Sequence, residues 1–240
     1  MSLLARNVIL KRIFLIFLSF LISFSFIGAK TSIFAVENSS IVFSKSREPT
    51  KKIALTFDDG PHPRYTERIL NILEKYNIKA TFFVIGVNIQ NYPAPLKKAH
   101  AAGHEIGNHS FSHDNENDLN SKNAIVEMQR CQELIEKELG IVSKVFRPPR
   151  GVCNSDVINA AKSLGYSVAL WSIDTLDWKG TSPQLIVNAV EKQISGGDII
   201  LMHDYTSLKN TTCDALEIMI PRLLARGFEF VTVSQLIGRH

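Results

Sequence analysis

From Lys51 onward the chain alternates short apolar runs with stretches of helical spacing, and this alternation restricts the fold more than any other feature. The strand candidates are residues 53–57, 80–85, 105–108, 144–146, 166–171, 198–202 and 228–233, most of them apolar and 105–108 a brief one. Between them, residues 66–76, 93–102, 121–139, 155–164, 182–194 and 212–225 carry apolar side chains three and four positions apart. Short apolar runs bounded by polar residues read as strands, and the longer periodic stretches read as helices. Strands separated by helices pair in parallel through crossover connections, so the class is α/β. Seven such strands suit a barrel better than an open sheet. In barrels of this kind the chemistry sits where strands end and loops begin.

Five polar clusters stand at those positions. Asp58-Asp59 follows the first run, His109 the third, Arg147 the fourth, Trp171 to Trp178 the fifth and His203 the sixth. His109 and His113 are four apart, one helical turn, which would turn both imidazoles the same way. Two adjacent carboxylates after an apolar strand are costly unless a cation or a donor compensates them. Two histidines and one carboxylate make a facial metal set with open positions, leaving the second carboxylate beside it as a base. Each element has a plainer reading alone. The histidines can be surface residues, Asp58-Asp59-Gly60-Pro61 can be a turn with a helix-capping Asp, and His203 can be structural. Arg147, able to compensate Asp58, and Asp177, able to orient an imidazole, favour a single site.

Thr56-Phe-Asp-Asp-Gly60, His109-Ser-Phe-Ser-His113, Arg147-Pro-Pro-Arg-Gly151, Asp174-Thr-Leu-Asp-Trp178 and Leu201-Met-His203 resemble the five ordered motifs of the NodB-type polysaccharide deacetylases, carbohydrate esterase family 4. The resemblance spans roughly residues 50–236 and rests on five motifs in order. It implies a distorted (β/α)7 barrel and a metal-dependent hydrolase that removes N-acetyl groups from a polysaccharide, of peptidoglycan or chitin type. It further implies that Asp59, His109 and His113 bind a divalent metal, usually zinc, with cobalt, nickel and manganese as alternatives. By the same resemblance Asp58 is the general base, held by Arg147. His203 is the general acid, tuned by Asp177, and Trp178 forms part of the wall. Arg150 departs from the family, which usually carries an aromatic residue there. The backbone N–H at that position is expected to help hold the oxyanion, and the Arg side chain suits an acidic group on the glycan. An O-acetyl esterase on xylan-like glycans is the nearest alternative. A non-haem iron oxygenase also fits two histidines and a carboxylate, but it needs neither Asp58 nor His203. A catalytically dead carbohydrate-binding module is disfavoured because every acid, base and ligand position is filled.

The N-terminus sets location. Arg6, Lys11 and Arg12 precede fifteen residues, Ile13 to Ile27, interrupted only by Ser, and Gly28-Ala29 follows. This is the pattern of a secretory signal. An uncleaved anchor is the competing reading, though the span falls short of the roughly 20 residues that cross a bilayer. Either way the remainder is expected outside the cytoplasm, with the membrane touched only through residues 1–29. The chain's 27 Lys and Arg exceed its 23 Asp and Glu by four, and three of those cations sit in this leader. The rest is close to neutral and has no basic run, which argues against nucleic acid. Residues 30–50 read as a linker, and 51–240 as the deacetylase domain. Of three cysteines, Cys131 and Cys213 share apolar helical faces and read as buried, while Cys153 is either free or paired.

Overall fold

The alternation is realised in the computed structural model, which describes residues 41–113, 121–205 and 211–239. The strands are β1 (Val42–Phe43), β2 (Lys52–Gly60), β3 (Thr81–Val84), β4 (Glu105–Asn108), β5 (Val145–Phe146), β6 (Ser167–Ala169), β7 (Ile173–Asp174), β8 (Ile199–His203) and β9 (Glu229–Val231). The helices are α1 (Tyr65–Lys75), α2 (Gly86–Asn91), α3 (Pro93–Ala101), α4 (Ser121–Leu139), α5 (Ser155–Ser163), α6 (Pro183–Gln193), α7 (Thr212–Ala225) and α8 (Val233–Leu236). Strand order is β1-β6-β5-β4-β3-β2-β8-β7, with every ladder parallel. No ladder joins β1 to β7, the two ends of this order, among the described residues, and the sheet curls into a half-barrel ringed by helices. This is the distorted (β/α) barrel that the motifs implied.

Burial explains the pattern. Residues Ile53 to Phe57 of β2 are all fully buried, because a parallel strand is covered on both faces and loses the apolar–polar alternation. On α4, Ala124, Met128, Cys131 and Ile135 form one fully buried stripe at helical spacing. Cys213 lies on the corresponding face of α7 with Leu216, Ile220 and Leu223. All three cysteines are free, Cys153 included.

The membership of the barrel differs from the sequence reading. The run at 228–233 was expected as the seventh strand. β9 instead pairs with Lys52–Ala54 alone, off the main path. β7 stands on the main path in its place, two residues long and too short to carry periodicity. Residues 30–50 read as a linker, yet 41–50 include β1, which pairs with β6 and buries Ile41 and Phe43. Residues 1–40, which include the expected export signal, lie outside the described residues. Among the described residues no helix is long and apolar enough to cross a membrane.

Candidate active site

In a regular strand neighbouring side chains point to opposite faces, so Asp58 and Asp59 need a device to share a cavity. A β-bulge supplies it. Asp58 pairs with Phe83 and Gly60 with Val84, which leaves Asp59 as the extra residue. Its φ is 76°, a left-handed value that Asp tolerates better than most residues. From α2, Asn88 Nδ2 donates to the Asp59 carbonyl at 2.7 Å and fixes the bulge.

His109 and His113 converge without the helical turn expected for them. The segment after β4 is an irregular loop in which Ser110 and His113 have φ values of 67° and 55°. Three acceptors hold it. Asn108 Oδ1 accepts from Ser110 N, Ser110 Oγ from His113 N, and Glu127 Oε2 from Phe111 N, Ser112 N and Ser112 Oγ at 2.7–3.1 Å. The imidazoles lie 5.0 Å apart between centroids. His109 Nε2 is 3.5 Å and His113 Nε2 3.4 Å from Asp59 Oδ1.

These three residues fit a divalent cation. Their ligand atoms all lie within 4.8 Å of one another. His109 Nδ1 donates to the Arg147 carbonyl at 2.7 Å, which fixes the ring and turns Nε2 inward. Asp59 Oδ1 is buried without a hydrogen-bond partner. Burial alone would lower the His109 pKa, yet Asp58 and Asp59 raise it on balance, so the site favours positive charge. At His113 burial, with His109 next to it, lowers the pKa and favours the neutral ring that a metal needs.

Arg147 is wholly buried behind Asp58. Its Nη1 donates to Asp58 Oδ1 at 2.7 Å and to Thr56 Oγ1 at 2.8 Å. Nε and Nη2 donate to the carbonyls of Ala169 and Leu170, and the guanidinium lies 4.1 Å from the Phe83 ring centroid. A buried cation is tolerated only when paired and hydrogen-bonded in this way. Asp177, also buried, accepts from His203 N and Nδ1 at 2.8 Å, and from Thr212 Oγ1 and Trp178 N. Burial would lower the His203 pKa, but the Asp177 bond and charge outweigh it and push it up to about 9.

A cavity of about 530 Å³ collects these groups, with Asp58, Asp59, His109, His113, Arg150, Trp178 and His203 on its wall. Arg147 and Asp177 stand behind it. Arg150 is held at φ 56° in the turn Pro149–Gly151. All nine residues singled out in the sequence are thus brought together. The sequence reading did not find Asn88, Glu127 or Asp204. Asp204 follows His203, is buried, and has its pKa pushed up to about 7 by that burial, with Thr66 Oγ1 donating to Oδ2 at 2.5 Å. Nothing separates any of these three from ordinary surface polar residues in the sequence.

The chain belongs to the polysaccharide deacetylase family, whose model matches residues 45–169. It is 41% identical over 192 residues to a peptidoglycan-N-acetylglucosamine deacetylase of Bacillus cereus, covering 78% of this chain and 88% of that one. It is 42% identical over 190 residues to the peptidoglycan-N-acetylmuramic acid deacetylase PdaC of Bacillus subtilis, covering 79% of this chain but only 39% of that longer protein. Among solved structures, the Bc1960 peptidoglycan N-acetylglucosamine deacetylase superposes with a TM-score of 0.78 at 34% identity, covering 83% of this chain and 93% of that one.

Proposed function

We propose that this protein hydrolyses N-acetyl groups on a cell-wall polysaccharide of peptidoglycan or chitin type, releasing acetate with the help of a bound divalent metal. The observation that carries the reading is the buried, donor-less Asp59 Oδ1 between two imidazole nitrogens, with a second carboxylate and a carboxylate-held imidazole beside it. Asp59, His109 and His113 would hold the metal, and their nitrogen and oxygen donors suit zinc. When bound, the cation polarises the acetamide carbonyl and lowers the pKa of water from 15.7 toward about 7.

The chain's own groups handle the protons. Asp58, oriented by Arg147, takes the proton of the attacking water at its carboxylate. The oxyanion that develops on the acetamide is met by the Arg150 backbone N–H. His203 has Nδ1 engaged by Asp177, so Nε2 carries the proton delivered to the departing sugar amine. Trp178 forms part of the wall against the acetylated sugar. An exported location, through residues 1–29, suits a substrate that lies outside the membrane, and every residue named in this chemistry lies within 51–240.

Acetate release from peptidoglycan, N-acetylated chitooligosaccharides and acetylxylan tests the reading. Release from the first two above the third is expected; release from acetylxylan alone would establish the O-esterase instead. Arg150 suits an acidic glycan group, so Arg150→Tyr should reduce the preference for peptidoglycan over neutral chitooligosaccharide. An unchanged preference would remove that role from Arg150.

A further inference from the structure

Three consecutive carbonyls carry the bulge that turns Asp59 into the cavity, and each has its own donor. Asn88 Nδ2 meets that of Asp59 at 2.7 Å, and Ile85 N meets that of Gly60 at 2.8 Å. The carbonyl of Asp58 is met by Asp204 N at 3.2 Å, from the residue just past β8. Asp204 touches this stretch a second time. Its buried carboxyl group lies over Gly60, where a β-carbon would collide with both oxygens. The backbone of Gly60 is not left-handed, so the glycine is needed there for room.

A third contact runs through α1. His62 N donates to Thr66 Oγ1 at 2.8 Å, and Thr66 Oγ1 donates to Asp204 Oδ2 at 2.5 Å. A hydroxyl has one proton to give, so an acceptor at Asp204 sets its direction and leaves the oxygen free to accept from His62. The connection from β2 to α1 is thereby tied to the end of β8 on both sides of Gly60. Stability alone does not account for Asp204. Its Oδ1 is buried with no hydrogen-bond partner, and burying such an atom costs free energy. An apolar side chain would fill the space without that cost, but it could not accept from Thr66.

We infer that Asp204 is a positioning residue for Asp59. It holds residues 58–62 through Gly60 and Thr66, so that the Asp59 carboxylate stays aimed between His109 and His113. The inference rests on the metal-dependent deacetylase reading of that site.

Zinc titration of the full chain against a chromophoric chelator tests it, with the visible absorption of the cobalt-loaded protein as a second readout. Asp204→Ala removes both the acceptor and the group over Gly60. It should weaken zinc about 10–100-fold and alter the cobalt spectrum. Asp204→Asn keeps both features, so its affinity and spectrum should match the wild type. Thr66→Val, a milder change, should move both readouts in the direction of Asp204→Ala. A lower Tm with affinity and spectrum unchanged in Asp204→Ala and Thr66→Val would make Asp204 purely structural and overturn the inference. An Asp204→Asn variant as weak as Asp204→Ala would overturn it too. The wild type separates the two claims. Zinc binding that none of the variants changes removes the positioning role alone, while a wild type that binds no zinc removes the metal reading and the role with it.

Discussion

Asp58 and Asp59 are neighbours with different surroundings, and those surroundings divide their tasks. Asp59 faces two imidazole nitrogens, while Asp58 takes the Nη1 donor of a wholly buried arginine. Asp58→Asn should therefore lower kcat by about 10²–10⁴-fold, the usual worth of a positioned base. Metal affinity, read by titration, should stay near the wild-type value; near-normal turnover would sink the assignment. His203 yields a pH prediction. Its pKa is raised to about 9, so the proton it would donate in the proposed reaction is present below that pH and lost above it. Asp177→Asn removes the charge that opposes desolvation, and the alkaline limb of kcat/KM should move down by about 1–3 pH units. A limb that stays in place would mean that another group sets it. These residues were legible in the sequence because each sits in a short polar motif ending an apolar run. The left-handed backbone of Asp59 was not, because no residue type marks a bulge there.

The elements explain how so short a loop brings two imidazoles together. α4 presents Glu127 to the 109–113 loop, where one carboxylate oxygen accepts from two backbone N–H groups and a hydroxyl. Glu127→Ala leaves those donors without that acceptor, at a cost of about 1–3 kcal/mol. The expected result is a lower Tm and metal affinity weakened about 10–100-fold, as for other groups that support metal ligands. Unchanged affinity would show that Asn108 and Ser110 suffice. The sequence reading brought the two histidines together through a helical turn that does not form. The two rings converge all the same because four-residue spacing also suits this loop, but the residue fastening the loop lies fourteen positions beyond His113 and has no motif around it. Likewise β7 escaped notice, since two residues carry no period, and 228–233 took its place because an apolar run does not disclose its partner.

At the scale of the whole molecule, the parallel topology makes the site. β2 lies between β3 and β8, and Asp58 is paired in register with His203 although the two are far apart in the chain. Every motif therefore arrives at the same end of the barrel, with Arg147 and Asp177 buried behind the cavity wall. This convergence was readable from the order of apolar runs, since parallel strands end at one face. The curl of the sheet and its open β1–β7 seam were not, since they depend on strand lengths set by packing. Under the proposed function, this end of the barrel hydrolyses N-acetyl groups only with a divalent metal on Asp59, His109 and His113. The direct measurement is acetate release from an N-acetylated chitooligosaccharide before chelation, after chelation and after zinc is returned. Release, its loss on chelation and its recovery with zinc are expected. Release that survives complete removal of metal, or no release at any stage, would contradict the proposed function.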